Sequence, residues 1–402
     1  MKALISVGDA LEKVLAEAAP LPAETAPLHQ AAWRVLARDI VALRTQPPFP
    51  AAAMDGYAVT DTDARQGAEL VLIGESAAGR RFEGKLEAGQ AVRIFTGAPV
   101  PDGAGTVIMQ EDIERLENAR IRIAQPVTPG RHVRKRGLDF AEGEVLLKRG
   151  TALDAAALPL AAAAGHAALP VHRRPVVAIL ATGEELVSPG EMTGLDQIVA
   201  SNGFGVAALA SKAGATIIDL GIVGDDAALI TAAVSRAAAE GADILVTLGG
   251  ASVGDHDLIK PVLAGLGVEL DFWQIAMRPG KPLMHARHGA MHVLGLPGNP
   301  VSSLVCAHLF LLPLIARLGG GIHRFPIVRA KLGAAMREND KRQDYVRADI
   351  VENANGSRTA TPFPVQDSSM LSVLALSGGL IIRPPHAPPA NSGEEVDVLL
   401  LR

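Results

Sequence analysis

Residues 244–257 read ILVTLGGASVGDHD. The run Ile244 to Leu248, rich in branched residues and bounded by glycine, predicts a strand buried on both faces. Gly249 and Gly250 end it, Ser252 and Gly254 keep the next loop small, and helical spacing resumes at Leu258 and Ile259. A strand, a Gly-rich loop and a helix start turn backbone N–H groups toward an anion. Asp255 and Asp257 would repel a bare phosphate, so a divalent cation between acid and phosphate reconciles the two. A tight βα turn with an Asp cap explains the stretch equally well on its own.

The flanking sequence repeats the theme. Val176 to Ala181 predicts a buried strand ending in Thr182-Gly183-Glu184-Glu185, followed by a helix from Asn202 to about Lys212. Thr216 to Val223 predicts a strand ending in Gly224-Asp225-Asp226, with an Ala-rich helix over 227–240. A helix over roughly 257–266 follows the central loop. Strands then flank Met277-Arg278-Pro279-Gly280-Lys281, and Met291 to Leu296 leads into Pro297-Gly298-Asn299-Pro300 and a long helix to Leu318. Alternation of this kind predicts a doubly wound, mainly parallel α/β domain. Ligands bind beyond the carboxyl ends of such strands, where Glu184, Glu185, Asp225, Asp226, Asp255, Asp257 and Asn299 all fall.

The chain of 402 residues is too long for one core, so two to four domains are expected. A net charge of −5 argues against wholesale nucleic-acid binding. Cys306 is the single cysteine, which excludes intrachain disulfides and thiolate zinc sites and fits a reducing, cytoplasmic setting. No secretory h-region is expected at the start, and the apolar window Leu304 to Ala316 is too short for a bilayer and reads as a buried helix. No Walker loop, GxGxxG, HExxH pair or nucleophile elbow appears.

Upstream, 6–18 predicts an amphipathic helix and 24–37 a second one. TQPPFPAAAMDGYAV, 45–59, predicts an extended Pro-rich approach to a turn at Met54 to Tyr57 that holds Asp55 at a surface. From 68 to 150 short strands alternate with turns, and 152–169 reads as a helix broken near Pro159. Arg131 to Asp139 is a basic run that serves either as a solvated loop or as an anion collector. Past Gly319-Gly320-Gly321, strands recur with no helical period, predicting a small β-barrel or sandwich.

Five stretches together resemble one family, molybdopterin molybdenumtransferase, which includes the gephyrin E domain. They are PPFPAAAMDGYAV (47–59), IFTGAPVPDGAGTVIMQED (94–112), TGEEL (182–186), GGASVGDHD (249–257), and MRPGKP (277–282) with GLPGNPVS (295–302). The resemblance implies four domains: a connecting domain (1–50 with 138–174), a β-rich domain (51–137), the α/β domain (175–320) and a C-terminal β-barrel (321–402). It implies Mg²⁺-dependent insertion of molybdate into adenylated molybdopterin with release of AMP. It also implies a homodimer with the active cleft between subunits, and a molybdopterin adenylyltransferase as partner enzyme.

Position by position, Asp55, Thr96, Asp139, Glu185, Asp225, Asp257, Arg278 and Lys281 resemble the family's catalytic set. Glu185, Asp225 and Asp257 resemble its metal ligands. Gly249, Gly250, Ser252, Gly254, Pro297, Gly298, Asn299, Pro300 and Ser368 resemble its cofactor-binding positions. A one-residue insertion before Asp257 leaves Asp225 and Asp226 as alternatives. Arg278 and Lys281, on a rigid Pro-Gly turn, are the candidate contacts to molybdate or a phosphate. Two other readings stand beside this one: the smaller adenylyltransferase, which lacks the N-terminal half, and a non-catalytic scaffold.

Overall fold

The strand Ile244–Leu248 is buried at every position and runs through the middle of a six-stranded sheet. The computed structural model describes residues 4–249 and 258–402. Across the sheet the order is Thr216–Val223, Val176–Thr182, Ile244–Leu248, Met291–Leu296, Met284–His288, Glu269–Phe272. The first four strands are parallel; Met284–His288 runs against them, and Glu269–Phe272 pairs antiparallel with Met284–His288. Side chains alternate between two cores, as the pleat requires. Val177, Ile179, Ile244, Val246 and Leu248 pack with Val206, Ala210, Val301 and Val305 of the helices Asn202–Lys212 and Pro300–Cys306. Ala178, Leu180 and Leu245 pack on the other face with Ile230, Val234, Ile259 and Leu263 of the helices Ala227–Ala239 and Ile259–Gly265. That is the doubly wound α/β fold the sequence predicts.

The helix after Met291–Leu296 continues through a π-helical segment, Ala307–Leu311, into Leu312–Leu318. Pro313 lacks an N–H and would crowd the preceding turn, and the helix widens ahead of it. This is the one helix among the described residues that is long and apolar enough to cross a membrane. Its apolar window is 72% buried inside the protein, as expected of a core helix.

Five C-terminal strands close on themselves: Gln343–Glu352, Arg358–Pro362, Ile327–Leu332, Glu395–Leu400 and Gly379–Arg383, the last pairing back to the first. Closure leaves no edge among the five. A short strand, Met277–Arg278, adds in parallel to Gln343–Glu352. The barrel region also holds a helix, Leu371–Leu376, that the strand-only expectation missed.

The chain divides into two compact units: 1–24, 33–37 and 171–402 form one, and 25–32 with 38–170 the other. The second contains a six-stranded mixed sheet in the order Thr106–Met109, Gly56–Val59, Gln90–Ile94, Glu69–Ser76, Arg120–Ile123, Ile113–Arg115. Of the turn expected at Met54 to Tyr57, Met54 and Asp55 lie in a bend, while Gly56 and Tyr57 begin an internal strand, Gly56–Val59, buried throughout.

Two helix expectations fail. Residues 24–37 hold a strand, Ala23–Pro27, and a 3₁₀ turn, Leu28–Gln30, because Pro27 would cost an interior helix roughly 3 kcal/mol. Within 152–169 only Ala157–Ala163 is helical. Pro159 does not break it, since it sits in the first turn where its missing N–H is not needed. Asp154 accepts from the N–H groups of Ala156 (2.9 Å) and Ala157 (2.8 Å), and strand Ala168–His172 follows.

Trp33 has φ 62° and is 72% exposed. A bulky residue in the left-handed region is strained, and little burial offsets it here. Trp33→Gly is expected to stabilise the protein by about 0.5–1 kcal/mol, read as a higher urea midpoint at unchanged slope.

Candidate active site

A cavity of about 680 Å³ lies at the carboxyl edge of the α/β sheet. Its lining includes Thr182, Glu185, Asn202, Asp225, Gly249, Pro282, the run Pro297 to Pro300, Ser369 and Leu371. These come from the ends of all four parallel strands and from the barrel region.

Missing Cβ atoms shape this edge. A Cβ on Gly183, whose φ is +147°, would stand 2.3 Å from Glu185 Oε2, so the glycine lets that carboxylate fold back beside the strand end. A Cβ on Gly249 would stand 2.6 Å from the Thr182 carbonyl, and one on Gly298 lies 3.8 Å from Gly249 Cα. The loops after Ile244–Leu248 and Met291–Leu296 therefore approach backbone to backbone. Asn202 Nδ2 donates to the Gly298 carbonyl at 2.6 Å and ties the helix start to that loop.

The acid pairs separate by role. Asp226 caps the helix Ala227–Ala239, its Oδ1 accepting from the N–H groups of Ala228 (2.7 Å) and Leu229 (3.0 Å). Asp225 lines the cavity, and its N–H donates to Glu184 Oε1 at 3.0 Å. Glu184 braces the turn while Glu185 faces the cavity. The two alternatives left open by sequence thus fall to different tasks.

Arg278 and Lys281 are not in the lining; Pro282 is the one residue of their turn that is. Register pairs Arg278 with Asp344, and its Nε donates to Asp344 Oδ2 at 3.0 Å. Nη2 also reaches Asp344, and Nη1 lies 3.7 Å from Asp340. The hydrogen bond to Asp344 raises the Arg278 pKa further. This arginine faces a separate cavity of about 520 Å³ with Asn339 and Arg383. The Arg278 guanidinium thus makes an ion pair between the α/β turn and the barrel.

Ser368 enters through its backbone, its carbonyl accepting from Val301 N–H (3.0 Å) at the start of the helix Pro300–Cys306. Its neighbour Ser369 lines the cavity, with N–H and Oγ on Asp367 Oδ1 at 2.8 and 2.6 Å. Arg347, 1% exposed, braces this loop by donating to Gln366 Oε1 and the Met370 carbonyl, both at 3.3 Å. Sequence reading passed over Arg347. Gly250, Ser252, Gly254 and Asp257 lie outside the described residues.

In the second unit, Asp55 Oδ1 accepts both the N–H and the hydroxyl of Thr96, each at 2.7 Å. Those bonds, the backbone one first, hold the Asp55 carboxyl below the usual range. Arg93 stacks 4.9 Å from the ring centres of Tyr57 and Phe95 and donates to the Gly56 carbonyl (3.1 Å), fixing the same turn. Thr96→Val removes one bond and leaves the backbone one, so the Asp55 pKa should rise toward the ordinary carboxylate value. A carbon-detected NMR titration checks this. Asp139 donates its N–H to the Gln46 carbonyl at 3.0 Å and leaves its carboxylate exposed.

Carboxylates and small-residue loops around one cavity at the carboxyl edge of a doubly wound sheet define an enzyme-like, small-molecule-binding α/β protein. Known proteins similar to it narrow this class. Residues 5–165 match the MoeA N-terminal region (domain I and II), 178–317 a probable molybdopterin binding domain, and 329–401 the MoeA C-terminal region (domain IV). A molybdopterin molybdenumtransferase of Haemophilus influenzae is 35% identical over 399 residues, covering 98% of both chains. One of Bacillus subtilis is 34% identical, covering 93% of this chain and 89% of the relative. The crystal structure of a molybdopterin biosynthesis MoeA protein from Pyrococcus horikoshii superposes with a TM-score of 0.84 at 31% identity over the whole of both chains. The chain belongs to the molybdopterin molybdenumtransferase family, and is a transferase of molybdenum cofactor biosynthesis that inserts molybdenum. The resemblance carried by the five sequence stretches is the one these comparisons give.

Proposed function

We infer that the 680 Å³ cavity holds adenylated molybdopterin and that molybdate insertion there releases AMP. The carrying observation is that Glu185 and Asp225 share one lining with Gly249 and the run Pro297 to Pro300. A pyrophosphate-bearing substrate and a tetrahedral dianion both need charge compensation. The described lining supplies two carboxylates and no lysine or arginine.

That donor set suits Mg²⁺, which takes one or two carboxylates and fills its octahedron with phosphate oxygens and water. No group of three His, Cys, Asp or Glu side chains placed to hold a metal occurs among the described residues, which do not include Asp257. Glu185 and Asp225, with Asp257, would hold it, and bound Mg²⁺ would polarise the anhydride. Gly249 and Gly298 admit phosphate oxygens to the backbone. Lys281, exposed on the turn that sends Pro282 to the cavity wall, is the proposed contact for molybdate, and Arg278 holds that turn through Asp344.

We further infer a cytoplasmic homodimer in which Asp55, Thr96 and Asp139 of one chain serve the cavity of the other. The adenylated substrate would be supplied by a separate adenylyltransferase. What supports this is the family, and the absence of basic side chains from the described lining. Incubation with adenylated molybdopterin, Mg²⁺ and molybdate should release AMP only when molybdate is present. ATP consumption on bare molybdopterin would overturn the reading. Mixing inactive Asp55→Asn and Asp225→Asn chains should restore activity once subunits exchange, and no recovery would place each site within one chain.

A further inference from the structure

Leu186–Val187 and Ile198–Val199 pair in parallel as a small ribbon beside the carboxyl edge of the α/β sheet. Ile198 N–H donates to the Glu185 carbonyl at 2.7 Å, and Ala200 N–H to the Val187 carbonyl at 2.9 Å. This root is part of the 680 Å³ cavity: Leu186, Ile198 and Val199 are three of the five Leu, Ile or Val side chains in the described lining, which holds no aromatic ring. The loop that the ribbon carries, Ser188 to Gln197, is exposed throughout. Its turns link Ser188 with Glu191 and Gly194 with Gln197, and among the described residues they bond to nothing else. Yet its tip holds Met192 and Leu195, 95% and 105% exposed. Large aliphatic side chains kept in water mark a surface that meets an apolar ligand group, and the apolar surface continuous with this loop is the cavity wall at its root.

Strand order says which part of the ligand that is. Along the carboxyl edge the chain ends follow one another as Asp225, Thr182 to Leu186, Gly249, Pro297 to Pro300, and then Pro282 ahead of Met284–His288. Neighbouring strands lie about 4.8 Å apart, so the ribbon and Pro282 are separated by three spacings, roughly 14 Å. With molybdate at Lys281 beside Pro282 and the pyrophosphate over Gly249 and Gly298, the pterin takes the Pro282 end and the adenosine the other. We propose that the ribbon is the adenine subsite: Leu186, Ile198 and Val199 form one wall, and the loop folds Met192 and Leu195 over the ring. This rests on the adenylated substrate assigned above and adds where its nucleotide half binds and what covers it.

AMP alone, with Mg²⁺, is the probe on the full chain. A glutamate-specific protease should cut after Glu191 in the free protein, and AMP should slow that cut roughly tenfold at about ten times its Kd. Ribose 5-phosphate, which lacks the ring, should not protect. Calorimetry should show AMP weakened roughly tenfold by Ile198→Ser, and likewise by Met192→Ser combined with Leu195→Ser. The double change lies wholly on exposed positions, so it does not put folding at risk. Equal protection by ribose 5-phosphate, unchanged AMP affinity in the double variant, or a loop shielded without AMP as protein concentration rises would each overturn the proposal, the last by giving Met192 and Leu195 to a second copy of the chain. Turnover separates the two readings. Molybdate-dependent AMP release with no protection by AMP overturns the adenine subsite and leaves the substrate standing. Full protection with no AMP release in turnover supports the subsite and removes the substrate.

Discussion

Asp225→Asn should lower molybdenum transfer by roughly 10²–10³-fold at unchanged stability, the size of effect seen when an electrostatic group is removed from a preorganised site. Asp226→Ala should do the opposite, costing about 1 kcal/mol of stability through the lost cap and leaving turnover within a few fold. The two residues are adjacent acids in the same turn, so composition cannot tell them apart. What separates them is direction. The Asp226 carboxylate is occupied by Ala228 and Leu229 N–H groups, whereas Asp225 borders the cavity with its backbone fixed by Glu184. Single-turnover product formation and thermal melting of the two variants test the assignment together. Equal loss of activity in both would show that the turn acts as one unit.

The same turn shows why some of this protein was legible in its sequence. The parallel strands announce themselves as short branched runs, and their ends carry acids and glycines because only there does the backbone face a ligand. Thus Glu185, Asp225, Gly249 and the run Pro297 to Pro300, separated by more than a hundred residues, were expected in one cleft and do meet. What stayed hidden depends on pairings that no local pattern records. The partner of Arg278 is Asp344, set by a strand register across 66 residues, and a charge that reads as available is already paired. Residues 24–37 have helical composition, yet Pro27 ends that possibility. The five-stranded closure depends on Gln343–Glu352 pairing with both Arg358–Pro362 and Gly379–Arg383, which strand-like composition alone does not specify. Gly56 was read as a turn residue because Asp-Gly favours turns, while its burial inside a sheet depends on strands far along the chain.

Gly56→Ala should therefore destabilise the second unit by about 3 kcal/mol or more, the range reserved for overpacking that the backbone must absorb. Gly56 pairs with Met109 on one side and Ile94 on the other. An added Cβ would stand 1.8 Å from the Ile108 carbonyl oxygen and 2.7 Å from its carbon. Those are backbone atoms of a buried strand, so no rotamer change relieves the contact; two strands must separate. The φ of Gly56 does not lie in the left-handed region, so the requirement is space and not conformational freedom. Separation would also carry away Asp55, whose carbonyl accepts Gln110 N–H at 3.1 Å and whose carboxylate holds Thr96. A lower denaturant midpoint should then accompany loss of the depressed Asp55 pKa. Ala at position 58 is already accommodated on the same strand, fully buried, so the effect belongs to position 56 and not to alanine. A Gly56→Ala protein with wild-type stability would mean that the sheet yields at this position, and would remove the argument that glycine here sets the position of Asp55.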